Sequence, residues 1–354
     1  MNHITRPTLL INKIKVEANI QQMMAKAKRS NVVFRPHFKT HQSIEIGELF
    51  RKQGVDKITV SSVEMARFFA ENNWNDITIA FPVNLREIEA INHLTSRITL
   101  NLLVESIYSL EFLENHLKYQ TGIFIKIDTG YHRTGLEPNH PEIEKMIDFL
   151  TSSSKMKFQG FLIHAGHTYH AKGKEAVLNI MKSAKKQLLN LKEKYLSIFP
   201  NLIISYGDTP SCSMAEDCSG FDEIRPGNFV YYDVMQYHLG SCALSDIAVA
   251  VACPVVSTHP EREEVVVYGG AIHLSKEAIE ADNGFKLYGY VVPLTESGWG
   301  EPIPGAYVSS LSQEHGIIKM LNNQLQHFKP GDLLGILPIH SCLTANLLND
   351  QIIL

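Results

Sequence analysis

The chain has 354 residues, 44% apolar and 20% charged, with a formal net charge of -4. It is too long for one ordinary compact domain and long enough to bury a sizeable core, in the composition range of folded globular proteins. The weak acidity gives no general attraction to nucleic acid or to an anionic membrane surface. Residues 8–11 read as a strand, followed by a helix to about Ser30. Residues 31–34 form a short buried strand. Arg35-Pro36-His37-Phe38-Lys39-Thr40-His41 is a turn rich in basic side chains, and Ile44, Ile46, Leu49 and Phe50 then fall at helical spacing. Strands at 57–60, 76–80, 97–103, 122–127, 157–163 and 201–205 alternate with helices at 63–72, 84–94, 106–116, 141–152 and 174–195, with a short strand near 223–225. Such alternation argues a parallel sheet, and about eight units in roughly 230 residues fit a closed (β/α)8, TIM-like barrel, with an open doubly wound sheet as the other arrangement.

The pattern changes near Gly240. Residues 248–256, 263–268, 286–292, 306–311 and 316–319 read as strands between Gly, Pro and Asn turns, and helices become scarce. The expected class is therefore α/β, with a barrel over 12–238 and a mostly β domain over 239–354 that takes in residues 1–11. The five cysteines, Cys212, Cys218, Cys242, Cys253 and Cys342, have no framework spacing, which fits a reducing compartment. No secretory leader is expected, and the longest apolar run, 247–256, is too short for a bilayer and contains Pro254. A cytoplasmic protein is the expectation.

Barrels place their chemistry in the loops after their strands. Lys39 falls at such a position, among Arg35, His37 and His41, whose charges would lower its pKa and free its amine to attack a carbonyl. Taken alone, a lysine at a helix start is more often an exposed surface residue. The later strand ends carry Asp128-Thr129-Gly130-Tyr131-His132-Arg133-Thr134-Gly135, His164-Ala165-Gly166-His167-Thr168-Tyr169, Gly207-Asp208-Thr209-Pro210-Ser211 and Arg225-Pro226-Gly227-Asn228. Arg133 reads equally as a surface arginine, and His164 as a packed core histidine. Glycine, small hydroxyls and free backbone N–H groups at a helix start suit phosphate. A lysine, two candidate phosphate turns, an arginine and ring-bearing residues at one mouth point to pyridoxal phosphate. In the second domain, His340 and Cys342 alternate as on a strand, so both side chains would face one way; imidazole plus thiolate suits zinc, though a full site needs further ligands. His315, in Ser312-Gln313-Glu314-His315-Gly316, would support that site or cap a turn.

These motifs resemble the pyridoxal-phosphate enzymes of the alanine racemase fold type, and within them the D-serine dehydratase and D-threonine aldolase branch. The resemblance runs over nearly the whole chain. It implies that Lys39 holds the cofactor as a Schiff base, that Arg133 lies by the ring hydroxyl and His164 against the pyridine ring, and that Thr209, Gly227 and Asn228 lie in phosphate turns. It implies Arg225 facing the pyridine nitrogen, zinc on His340 and Cys342, and a homodimer. His167 or Tyr169 would orient substrate or ring. The racemases' second-base tyrosine motif is not found, and a metal pair is foreign to racemases. The branch reading is β-elimination from a D-3-hydroxy amino acid, D-serine first, giving pyruvate and ammonia. Retro-aldol cleavage of D-threonine is the close rival, and a non-catalytic pyridoxal-phosphate carrier the remote one. The chain ends soon after Asn346, and Leu343 stands where the family usually has proline.

Overall fold

The computed structural model describes residues 1, 3–280, 284–348 and 350–354. It divides into two compact units, residues 20–227 and residues 1–19 with 228–354. The division falls inside the first helix, α1 (Lys13–Arg29).

The larger unit is the barrel. Its strands are β2 (Val33–Phe34), β3 (Lys57–Val60), β4 (Asp76–Pro82), β5 (Thr99–Val104), β6 (Thr121–Ile127), β7 (Met156–Ile163), β8 (Ile203–Tyr206) and β9 (Glu223–Ile224); β1 (Thr8–Ile11) belongs to the other unit. All eight pair in parallel, in the order β2-β9-β8-β7-β6-β5-β4-β3. Between the two ends of that order lies a parallel bridge from His37 to Thr59, so the sheet is nearly closed. The intervening helices are α2 (Ile44–Lys52), α3 (Val63–Ala70), α4 (Ile88–Thr95), α5 (Ile107–His116), α6 (Glu142–Ser152), α7 (Lys174–Tyr195) and α8 (Thr209–Met214).

Local chemistry explains where these helices begin. The side chains of Ser43, Ser62, Ser106 and Asp208 accept backbone N–H groups at the starts of α2, α3, α5 and α8. Each such cap is worth about 1 kcal/mol. Asn84 caps a short 3-10 turn, Leu85–Glu87, that precedes α4. The inner faces of α2 and α3 bury Ile46, Leu49, Phe50, Ala66 and Phe69. All seven residues of β6 are buried, including Lys126.

In the other unit one mostly antiparallel sheet runs Glu264–Tyr268, His315–Lys319, Tyr307–Leu311, Gly289–Val292, Leu333–Pro338, Val249–His259, β1, Gln351–Ile353. Val249–His259 also pairs with Glu264–Tyr268, so the sheet curls back on itself. Leu333–Pro338 is central and fully apolar, yet lies outside the predicted strands. Residues 228–239 send their backbone bonds here: Met235 N–H to the Ile339 carbonyl at 3.2 Å, and the Tyr231 carbonyl to Ala248 N–H at 2.8 Å. Among the described residues no helix is long and apolar enough to cross a membrane.

Candidate active site

In the barrel unit, Lys39 follows β2 and is exposed. Of its expected cationic neighbours the two histidines are held neutral, and the charge of Arg35 is paired away. Burial holds the His41 imidazole down at about 3, its Nδ1 accepting from Ser43 N–H at 3.1 Å and its ring packed on Phe38, Phe50 and Phe69. His37 is also held well below its ordinary value, first by desolvation and then by the charges of Lys39 and Arg225. Arg35 is buried under the sheet and spent on Glu223 at 2.5 Å and Asp76 at 2.7 Å. The like-charge cluster proposed around Lys39 is therefore corrected: two neutral imidazoles and a neutralised guanidinium stand there.

The other barrel candidates do converge. Desolvation and then the charges of Lys39, Lys126 and Arg133 hold His164 well below its ordinary value. Its Nδ1 donates to the Gly207 carbonyl at 2.8 Å, which ties the loop after β7 to the loop after β8 and leaves Nε2 without the proton. Tyr169 lies beside it, ring centroids 6.4 Å apart. Arg133 is exposed, its guanidinium over the Tyr131 ring at 4.9 Å. Arg225 is buried. It donates to the Ser205 hydroxyl at 2.6 Å, the Ser205 carbonyl at 3.1 Å and the Ile163 carbonyl. Burial lowers it to about 10, so it stays charged at neutral pH. Thr209 opens α8, and its buried Oγ1 has no hydrogen-bond partner among the described residues. At Gly227 a Cβ would lie 3.0 Å from the His37 Cβ and carbonyl, so the loops after β9 and β2 approach closely here and any larger residue would push them apart by a few tenths of an ångström.

Three residues matter here that the sequence reading passed over. Lys126 sits in the barrel wall, pulled down to about 7 by burial and Arg225, against the opposing pull of Asp128. A lysine inside an otherwise apolar strand was the available signal. Asp128 accepts N–H bonds from Gly130, Tyr131 and His132 at 2.8–2.9 Å. Burial would raise its carboxyl, but these donors hold it below the usual range. Tyr131 lies between Arg133 and the His164–Tyr169 loop.

The group this mouth would take is a phosphorylated aldehyde, and the residues fit it. Lys39, Arg133 and Arg225, with Lys126 only part-protonated at neutral pH, supply positive potential around neutral imidazoles. Thr209 offers a buried hydroxyl that needs a partner, and an unsatisfied buried hydroxyl costs about 1–3 kcal/mol until it finds one.

In the other unit, His340 and Cys342 are not on a strand, which corrects the alternation argument. The strand ends at Pro338, His340 precedes the helix Ser341–Leu347, and Cys342 lies in its first turn. The two side chains still meet, through a hydrogen bond. Burial would lower His340, but bonds to Cys342 and Glu277 prevail and raise it to about 11. Its Nδ1 lies 2.6 Å from Glu277 Oε2, the carboxylate–histidine arrangement that orients metal-ligating imidazoles. Asn228 is placed here: its amide nitrogen donates to Asp233 at 2.6 Å, Ser341 Oγ at 3.1 Å and Cys342 Sγ at 3.5 Å. That donor is thus committed to the His340–Cys342 turn. Among the described residues no third His, Cys, Asp or Glu completes a metal cluster. Imidazole with thiolate is a borderline-soft pair that fits zinc with open positions. His315 opens a strand, exposed and opposite Tyr268.

Comparison with known proteins matches residues 11–234 to the family described as alanine racemase, N-terminal domain, and residues 248–354 to a putative serine dehydratase domain. The chain is 29% identical to the D-serine dehydratase of Dictyostelium discoideum, covering 99% of this chain and 93% of the relative. It is 27% identical to the D-threo-3-hydroxyaspartate dehydratase of a Delftia species, covering 96% and 91%. A cysteine-to-alanine variant of a D-threo-3-hydroxyaspartate dehydratase, solved in the metal-free form, superposes with a TM-score of 0.91 at 25% identity, covering 100% of this chain and 95% of that one. The D-threonine aldolase of an Arthrobacter species is 21% identical, covering 97% and 87%.

Proposed function

The chain belongs to the alanine racemase N-terminal-domain family and carries a serine dehydratase domain behind the barrel, and on that footing we propose that it is a pyridoxal-phosphate- and zinc-dependent D-serine dehydratase, a lyase that converts D-serine to pyruvate and ammonia. One observation carries the reading: a lysine at a barrel strand end, whose charge falls on His164 together with those of Lys126 and Arg133, is combined in the same chain with a histidine and a cysteine that face each other.

Lys39 is the amine that would hold the aldehyde, and its exposure gives a carbonyl access to it. Thr209 Oγ1, with Gly227, would receive the phosphate. When bound, pyridoxal phosphate supplies an electron sink for the charge left at Cα. Lys39 is also the amine that would take the Cα proton. His37 and His164 are held neutral, so neither competes as a cation for the substrate carboxylate. Arg133, and Lys126 when protonated, would favour that carboxylate and the cofactor's ring oxygen. Arg225, committed to Ser205 and Ile163, keeps its charge beneath the mouth. Tyr169, beside His164, is the candidate for orienting ring or substrate. His340 and Cys342 would hold zinc, with Glu277 orienting the imidazole, and the ion would supply Lewis acidity towards a poor hydroxide leaving group. We further take the enzyme to be a cytoplasmic homodimer, as the odd cysteine set and the fold resemblance support.

The test is an activity panel on metal- and cofactor-loaded enzyme. D-serine should give pyruvate and ammonia; no pyruvate while the cofactor stays bound would sink the assignment. D-Threonine separates the rival: 2-oxobutyrate marks a dehydratase, glycine and acetaldehyde an aldolase. The Delftia relative makes D-threo-3-hydroxyaspartate the third substrate to include. A carrier would turn over none of them.

A further inference from the structure

We propose that Tyr131 is a positioning residue, whose ring, seated on Gly166, sets the places of Arg133 and His164 at the barrel mouth. The inference rests on the reading above that these two side chains border the cofactor, and it names the group that holds them there.

Four contacts converge on this ring. It stands edge-on to His164, centroids 5.8 Å apart at 82°. It stacks with His167 at 6.3 Å and 25°. The Arg133 guanidinium lies over it, 4.9 Å from the centroid. A Cβ built on Gly166 would come within 2.4 Å of its Cε1 and 2.5 Å of its Cζ, well inside contact distance, so the ring rests directly on the backbone of the loop after β7. The Tyr131 N–H donates to Asp128 at 2.8 Å, which fixes the point from which the ring projects.

The physics follows from these contacts. A guanidinium prefers the electron-rich face of a ring, and an imidazole prefers an edge-to-face partner. Arg133 is exposed and has no ion pair among the described residues, so without the ring its long side chain would spread over many rotamers. Tyr131 thus joins the loop after β6, which carries the arginine, to the loop after β7, which carries the histidines. Any side chain at position 166 would push the ring off its seat.

A double-mutant cycle tests this with Tyr131→Ala, Gly166→Ala, the double variant and Tyr131→Phe. The readouts are the Kd of the apoprotein for pyridoxal 5′-phosphate by absorbance titration, the apoprotein Tm, and kcat and KM for D-serine. Tyr131→Ala should weaken cofactor binding about tenfold and lower kcat more than it changes KM. Gly166→Ala should do likewise in the wild type and add almost nothing in the Tyr131→Ala background, since residues in direct contact are non-additive. Tyr131→Phe keeps the ring and should recover most of the loss. Equal penalties for Gly166→Ala in both backgrounds would overturn the proposal, as would an unchanged Kd and kcat in Tyr131→Ala. If Gly166→Ala does not fold, the Ala and Phe variants decide: equal losses in both would remove the ring from the role. The wild type judges the underlying reading separately: cofactor binding without pyruvate from D-serine fails the assignment while the Kd cycle still judges Tyr131, and a wild type that binds no pyridoxal phosphate overturns both.

Discussion

Arg35 and Lys39 lie four residues apart in one basic turn, yet the fold uses them for different ends. Lys39 stays exposed. Arg35 is withdrawn into the sheet and joins strands distant in sequence through Glu223 and Asp76. Glu223 in turn accepts from Ser205, and Ser205 from Arg225, so one buried polar chain runs across β2, β8 and β9. Removing one partner of such a pair leaves a buried charge uncompensated. Glu223→Ala should therefore cost about 3–5 kcal/mol of stability in urea unfolding; a cost below 1 kcal/mol would show that the network is dispensable. Thr209 offers the opposite case, a buried hydroxyl with no hydrogen-bond partner among the described residues. Thr209→Val keeps its volume, so the apoprotein should be as stable or more so. Pyridoxal-phosphate affinity should fall about tenfold or more, the worth of a bond to a charged group. An unchanged Kd would take Thr209 out of the phosphate site. At this scale the sequence marked Lys39, Arg133, His164 and Thr209 because each stands at a strand end. It set the charge of Arg35 beside Lys39, whereas the fold commits that charge to a glutamate 188 residues away.

Elements were most legible where their signals are local. Helix α7 has the bounds its periodicity predicts, Lys174–Tyr195, and Ser106 caps the helix it precedes. The turn between β2 and α2 also follows from composition, with Ser43 capping α2. The strand Leu333–Pro338 escaped because six apolar residues in a central strand show no alternation. His340 and Cys342 were assigned to a strand because a two-residue spacing fits one; the backbone turns into a helix at Ser341 instead. Strand β7 carries a more demanding requirement. Between Ile123–Phe158 and Phe124–Gly160 its register with β6 slips by one residue. Gly160 there has φ +143°, and a Cβ would lie 1.9 Å from the Ile203 carbonyl oxygen on β8. Gly160→Ala meets both a forbidden backbone region and a backbone clash. It should lower stability by about 3 kcal/mol or more, or leave the chain insoluble. Wild-type unfolding midpoints in that variant would refute the requirement.

For the molecule as a whole, pH and metal supply the tests. His41 titrates at about 3 in the fold and, as an ordinary imidazole, near 6.5 when unfolded. Between those values the unfolded chain binds the extra proton, so stability is complete above 6.5 and falls as pH drops. The fall is up to about 1.4 kcal/mol per pH unit for this group alone. His37 and His164 are shifted the same way and steepen it. His41→Leu should flatten the slope by about one proton between pH 4 and 6, read from denaturant midpoints; an unchanged slope would mean that His41 protonates in the fold. In the other unit Glu277→Gln keeps the hydrogen bond to His340 and removes the charge. Zinc affinity should fall about tenfold or more, measured by competition with a chelator, with pyridoxal-phosphate binding intact. Zinc affinity equal to the wild type would remove Glu277 from the site.

Amino-acid order alone determined the alternation of strands and helices, the nearly closed parallel barrel, the change to β structure in the second part and the strand ends where chemistry collects. Those are consequences of hydrophobic period, caps and turn residues within a few positions of one another. Tertiary structure decided which side chains of those turns carry charge, that Tyr131 rests on Gly166, that Lys126 lies inside the wall, and that His340 meets Cys342 across a strand-to-helix turn. Each of these is set by desolvation and by contacts between residues brought together only when loops pack, and no local pattern records them.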